Sequence, residues 1–261
     1  PAISAIGAGN TVLLKPSEMA PATGQIMGQI VSSSFDPGHF SVVQGGPELG
    51  QALLEQKFDA WFYTGSERVG RFYAEAAAKH LAPITLELGG KCPCIVDSDV
   101  DLKTAVNRII TGKFFNAGQT CMAPDYVLIA EALHDDFLKQ AKIALTRLYP
   151  DPQSPDLARI VNDAHFERIS SLIPETAFRL GDDCRAARYL SPSLIPNADP
   201  ESACMREEIF GPVLPLVTYR NTEELFGFLK EKPSPLALYA FSKNSEFLEQ
   251  VASAIPSGSV C

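Results

Sequence analysis

The stretch "AWFYTGSERVGRFYAEAAAKHLAPITLELGGK", residues 60–91, decides the fold. Ala60–Tyr63 is a short apolar run, read as a strand, and Thr64-Gly65-Ser66 breaks it. Val69, Phe72, Tyr73, Ala76, Ala77 and Leu81 then recur at helical spacing and line one face of a helix. Ile84–Leu88 is a second apolar run, closed by Gly89-Gly90. Strand, glycine turn, helix and strand in that order make a βαβ unit, whose two strands run parallel.

The same alternation extends upstream. Thr11–Leu14 reads as a strand, Ile26, Met27, Ile30 and Val31 as a helix face, Phe40–Gln44 as a strand and Leu49, Ala52 and Leu53 as a short helix. A doubly wound parallel sheet is expected, with ligands bound beyond the carboxyl ends of its strands. Gly89-Gly90 marks the boundary between a first domain, 1–88, and a second, 89–261.

The second half is also α/β. Cys94–Asp97 reads as a strand. Asp99 is expected to cap a helix carrying Leu102, Ala105, Val106, Ile109 and Ile110, which runs out near Asn116-Ala117-Gly118. Tyr126–Ala130 is the next strand, and Phe137, Leu138, Ala141, Ala144, Leu145 and Leu148 mark the next helix. A proline-punctuated loop follows over 150–156, with later strands at Val213–Thr218 and Leu236–Phe241.

Bulk properties narrow the function. The 261 residues are 46% hydrophobic and 20% charged, an ordinary globular composition. The net charge of −9 argues against a nucleic-acid-binding surface. No apolar run approaches the roughly 20 residues that a spanning helix needs. Residues 1–15 lack a basic start of the signal-peptide kind. The chain opens on Pro1 and stops at Val260-Cys261 inside a strand-like run, so it reads as an internal piece of a longer protein. Six cysteines are too sparse for a disulfide framework, and Cys92-Pro93-Cys94 lacks the two-residue spacer that metal and redox sites favour. A reduced, cytoplasmic setting and no metal are expected.

Five stretches carry candidate chemistry. In "VLLKPSE", Lys15 and Glu18 follow a strand end, where they could contact ribose hydroxyls or simply form a solvated pair. In "FYTGSERVG", Gly65 and Ser66 open a helix, which is either an anion site or a plain glycine turn. Glu87 of "LELGGK" ends an apolar strand. Burial there would raise its pKa towards that of a general base, and a salt bridge is the other reading. Cys121 of "FFNAGQTCMAP", 34 residues later, sits among small residues that admit a substrate, although a free cysteine is more often a small buried hydrophobe than a nucleophile. In "REEIFGPVLP", two adjacent carboxylates precede an aromatic and a Gly-Pro break, which is also how a polar helix end meets a turn.

Taken together, "KPSE", "TGSERVG", "LELGGK", "FFNAGQTC" and "EEIFGPVLP", in this order, resemble the aldehyde dehydrogenase superfamily. "YPDPQSPDLARIVNDAHFERI" and "PLALYAFSKN" resemble its class 3 branch. The resemblance implies a modified Rossmann cofactor domain followed by an α/β catalytic domain, both truncated. It implies oxidation of medium- or long-chain aliphatic or aromatic aldehydes to carboxylic acids with NAD or NADP. Cys121 would be the nucleophile and Glu87 the base that hydrolyses a thioester. Lys15 and Glu18 would hold the adenosine ribose. Gly65, Ser66, Glu67, Arg68, Val69 and Gly70 would lie under the pyrophosphate, with Leu88 nearby. Glu208 would hold the nicotinamide ribose, with Phe210 beside it. The family's oxyanion-stabilising asparagine would fall upstream of Pro1. His39, His80, His134 and His165 match no catalytic position. A small-molecule substrate and a homodimer of the full-length protein are further implications. The other reading is a non-catalytic piece that binds nucleotide or packs in a larger assembly.

Overall fold

Short apolar runs become parallel strands, and the chain divides into two units, Pro1–Leu88 and Gly89–Cys261. The computed structural model describes residues 1–151 and 153–261.

The first unit runs α1 (Ala2–Gly7), β1 (Val12–Leu14), α2 (Pro21–Ser34), β2 (Phe40–Val42), α3 (Pro47–Leu54), β3 (Trp61–Gly65), α4 (Glu67–Lys79) and β4 (Ile84–Leu88). β1 pairs in parallel with β2, Val12 opposite Phe40. β3 pairs in parallel with β4, Gly65 opposite Leu88. Each pair encloses its own crossover helix, α2 or α4, so each is a βαβ unit. The two pairs are separate two-stranded sheets rather than the one continuous sheet that the sequence suggests.

The second unit contains β5 (Pro93–Val96), α5 (Leu102–Phe114), β6 (Tyr126–Ala130), α6 (His134–Leu148), α7 (Asp163–Ser170), β7 (Phe178–Arg179), β8 (Ser193–Ile195), α8 (Ala203–Arg206), β9 (Val213–Tyr219), α9 (Thr222–Lys230), β10 (Ala237–Phe241), α10 (Ser245–Ala254) and β11 (Ser259–Val260). Its strands form one sheet in the order β11-β10-β5-β6-β9-β8-β7. All neighbours are parallel except β7 and β8. β5 and β6 are buried at every residue, as interior strands of a parallel sheet covered on both faces should be. α5 packs against α6, and Ile109, Ile110, Phe114, Phe137 and Leu145 belong to the same core.

Local expectations are corrected at three places. Asp101, not Asp99, caps α5, and its carboxylate accepts from the Thr104 N–H at 3.2 Å and the Thr104 hydroxyl at 2.8 Å. Asp99 is too far from the first helical residue for a side-chain cap, which bonds the second or third helical N–H. Leu81 lies beyond α4 with φ 53°, 93% exposed. There the Ala82 N–H reaches back to the Ala77 carbonyl, closing the helix in a left-handed turn. Ile26 and Ile30 keep helical spacing on α2, yet are 53% and 59% exposed, while Val31 is buried. The proline loop expected over 150–156 includes Pro152, which lies outside the described residues.

Candidate active site

α5 ends at Phe114, and a single 3-10 turn, Phe115–Gly118, leads to the cysteine. Asn116 (φ 50°, ψ 32°), Ala117 (φ 53°, ψ 34°) and Gly118 (φ 72°) are left-handed in succession. For a residue with a Cβ this costs about 1–2 kcal/mol, so the turn must be held by its surroundings. The Asn116 amide donates to the Gln119 carbonyl at 3.0 Å. The Gln119 amide donates to the carbonyls of Asn116 (3.2 Å) and Arg159 (3.1 Å), and its oxygen accepts from the Val161 N–H at 2.9 Å. Beyond the thiol, the Tyr239 hydroxyl donates to the Met122 carbonyl at 2.5 Å. Cys92 Sγ donates to the Cys121 carbonyl at 3.4 Å. Cys121 therefore sits on a turn fixed at both ends, with its side chain only partly buried.

Three of the motifs meet around this turn in the second unit. A Cβ on Gly118 would lie 2.2 Å from the Gly211 carbonyl oxygen, so "NAGQTC" and "EEIFGP" touch backbone to backbone where only glycine fits. A Cβ on Gly89 would lie 2.1 Å from a Glu208 carboxylate oxygen, so the end of the Glu208 side chain rests against "LELGGK" where a side chain would displace it. Burial raises the Glu208 pKa, and a hydrogen bond from the Gly90 N–H opposes that rise. Phe210 is itself left-handed, φ 50°, an unusual state for a bulky residue and a mark of a constrained segment. Cys92, buried beside the loop, has its pKa pushed up to about 11 by burial and serves as a packed neutral thiol. Among the described residues no group of three or more His, Cys, Asp or Glu could hold a metal ion.

The remaining candidates lie in the first unit. Lys15 donates to Glu18 at 3.0 Å, so the "KPSE" charges pair with each other. The Glu18 carboxylate is held below its usual range, first by a backbone hydrogen bond and then by Lys15. Ser66 caps the 13-residue α4 through the Val69 N–H, and Ser66, Glu67 and Arg68 are exposed at its N-terminus. Arg71 pairs with Glu67, which neutralises the acidic side chain in the first turn. Gly65 and Gly70 are closely approached by neighbouring side chains. A Cβ would meet the Tyr63 hydroxyl at 2.2 Å in the first case and Leu88 at 2.9 Å in the second. Glu87 departs from expectation. β4 alternates, and Glu87 falls on its exposed register, so the burial expected for it is not present.

Sequence reasoning passed over four charged side chains of the second unit: Lys91, Lys113, Asp125 and Arg168. Lys91 pairs with Asp125. Arg168 donates to the Ile209 carbonyl at 2.7 Å. Lys113 is 1% exposed, and burial lowers its pKa to about 8 despite attraction from Asp125. A lysine inside the otherwise apolar run "IITGKFF" was the available signal for Lys113.

A model of the aldehyde dehydrogenase family matches residues 1–261. The chain belongs to the aldehyde dehydrogenase family. Its relatives include aldehyde dehydrogenase family 3 member B3 of Mus musculus, 45% identical over all of this chain and 55% of that protein. Family 3 member B1 of Rattus norvegicus is 46% identical over all of this chain and 56% of that protein. The substrate-bound structure of Staphylococcus aureus AldH superimposes with a TM-score of 0.95 at 40% identity, over 99% of this chain and 58% of that one. The Mycobacterium tuberculosis aldehyde dehydrogenase complexed with NAD+ superimposes with a TM-score of 0.86 at 28% identity, over 97% of this chain and 55% of that one. The aldehyde dehydrogenase chain described here thus spans about half the length of the relatives it matches, and its likeness is to the class 3 branch. The cytoplasmic expectation is withdrawn: the relatives are matched as family 3 members, and that membership assigns no compartment. Free cysteines, and the lack among described residues of a helix long and apolar enough to cross a membrane, do not assign a compartment.

Proposed function

We propose that this aldehyde dehydrogenase chain carries the nucleophile and most of the nicotinamide-nucleotide site of an enzyme that oxidises aldehydes to carboxylic acids. The observation that carries the reading is the strained turn of Asn116, Ala117 and Gly118, over-fixed by its neighbours and presenting a partly accessible thiol at Cys121. A thiolate there attacks the aldehyde carbon and forms a thiohemiacetal. The Cys121 N–H makes no hydrogen bond among the described residues and is free to donate to the resulting oxyanion. A nicotinamide nucleotide, when bound, would supply the hydride acceptor needed for the oxidation to a thioester on Cys121. Glu87, exposed on β4, takes the proton of the water that hydrolyses it.

The residues present fit such a nucleotide. The N-terminus of α4 offers N–H groups and a helix dipole to a pyrophosphate, next to Gly65. Glu208, seated against Gly89, takes the nicotinamide ribose, with Phe210 beside the ring. Lys15 and Glu18 take the adenosine ribose. An ionised Glu18 repels a 2′-phosphate, which favours NAD over NADP. Phe115 and Met122, apolar and exposed in the cysteine loop, favour an aliphatic or aromatic aldehyde. Assembly of the whole protein as a homodimer belongs to the same proposal.

The test is aldehyde-dependent formation of reduced nicotinamide by the whole protein. Cys121→Ala abolishes it, and an undiminished rate sinks the reading. Glu87→Gln slows thioester hydrolysis more than acylation in single-turnover measurements, whereas equal slowing of both steps removes Glu87 from the base role.

A further inference from the structure

The polar cluster beneath the cysteine loop has a construction that burial alone does not explain. Lys91, 13% exposed, pairs through its ammonium with Asp125 Oδ2 and donates to the carbonyls of Cys204 (2.7 Å) and Glu207 (3.0 Å). All three ammonium protons are used. Asp125, 3% exposed, accepts with its other oxygen from the Ile209 N–H at 3.0 Å. Its own N–H donates to the Cys92 carbonyl at 2.8 Å. Arg168 reaches the same segment from α7, donating to the carbonyls of Glu208 (3.4 Å) and Ile209 (2.7 Å). Desolvating such a pair usually cancels its Coulomb gain, so a buried ion pair is weak as a source of stability. What it supplies here is placement. Five of these bonds end on main-chain atoms of residues 204–209, the segment that presents Glu208 and Phe210, and Asp125 lies four residues after Cys121.

We propose that Lys91 and Asp125 are positioning residues. Their ion pair pins residues 204–210 to the cysteine loop and so sets where Glu208 meets the nicotinamide ribose. The inference rests on the roles proposed above for Cys121 and Glu208.

The experiment compares Lys91→Met, Asp125→Asn and Lys91→Arg in the whole protein. KM for NAD and kcat are measured alongside hydrogen exchange of the 204–210 amides. Lys91→Met and Asp125→Asn raise KM for NAD about tenfold, the scale of one lost charged hydrogen bond, with a smaller change in kcat. Exchange at 204–210 rises in both variants, and Lys91→Arg recovers most of the wild-type KM because a guanidinium still donates to Asp125 and the carbonyls. Folded variants with unchanged KM and exchange overturn the proposal. So does a fall in kcat at constant KM that Lys91→Arg does not rescue, because that is the signature of a general structural role. Should Lys91→Met fail to fold, the nearly isosteric Asp125→Asn decides by the same readings. Failure of the catalytic reading shows separately, as turnover that survives Cys121→Ser, and the exchange at 204–210 then decides the clamp by itself.

Discussion

The two units are built from similar strand and helix lengths but hold themselves together differently. In Gly89–Cys261, β5 and β6 are buried at every position, and Ile95, Ile109, Leu128 and Leu145 lie in one core. In Pro1–Leu88, β3 and β4 alternate between half-buried and exposed residues, and the buried hydrophobics among the described residues are Val31, Phe40, Ala76 and Ala77. Aromatic contacts take up part of the load: Tyr63 stacks on Tyr73 at 4.5 Å, and Trp61 meets Phe58 edge-on at 4.7 Å. A continuous apolar strand thus marks the dense unit, and an alternating one marks a unit with an open face.

Large-to-small substitutions give the sharpest contrast. Leu128→Ala in the second unit costs about 2–5 kcal/mol, whereas Ile30→Ala in the first, already exposed, stays within about 0.5 kcal/mol. Urea titrations followed by circular dichroism read the first. Fluorescence of Trp61, the single tryptophan of the sequence and a residue of the first unit, reads the second. Equal losses would break the comparison.

Glycine substitutions come next. Gly118→Ala places a Cβ against the Gly211 carbonyl at a left-handed position and costs at least about 2 kcal/mol. Gly9→Ala, also left-handed at φ 85° but with nothing within 4 Å, costs about 1 kcal/mol. Melting temperatures rank the two. Alkylation of Cys121 by iodoacetamide changes only in the first.

The last effect is electrostatic, emerges only on titration and concerns Lys113 of the dense unit. The Lys113 pKa falls from 10.5 to about 8 on folding. Between those values the unfolded chain holds a proton that the folded one has lost, so stability rises with pH across that window and is lost as pH falls through 8. Against Lys113→Met, wild type therefore gains up to ~1.4 kcal/mol per pH unit from pH 8 to 10.5. Parallel curves for the two proteins in urea would show that Lys113 does not titrate there.

Much of this contrast was legible in the linear pattern. Periodicity located β3, α4, β4, β5 and β6 to within a residue or two, because side-chain alternation depends on nearest neighbours along the chain. The antiparallel pair β7 and β8 left no such trace: strands of two and three residues carry too short a pattern. The Asp101 cap was displaced by two residues because Asp99 and Asp101 are chemically alike, and only the start of α5 separates them. Glu87 was read as buried because its strand is apolar, but β4 in its two-stranded sheet turns that register outward.

Composition and local spacing alone determined the α/β class and offered the residue types of the candidate site. A thiol among small residues, a carboxylate after an apolar strand and a glycine before a helix are chemical choices written residue by residue. Tertiary structure alone decided that Gly118 touches Gly211, that Glu208 rests on Gly89, and that Lys91 and Asp125 bind both segments together. These contacts join residues as far apart in the chain as Gly89 and Glu208. They exist because the strands β5, β6 and β9 lie side by side in one sheet and bring the loops at their ends to a common place.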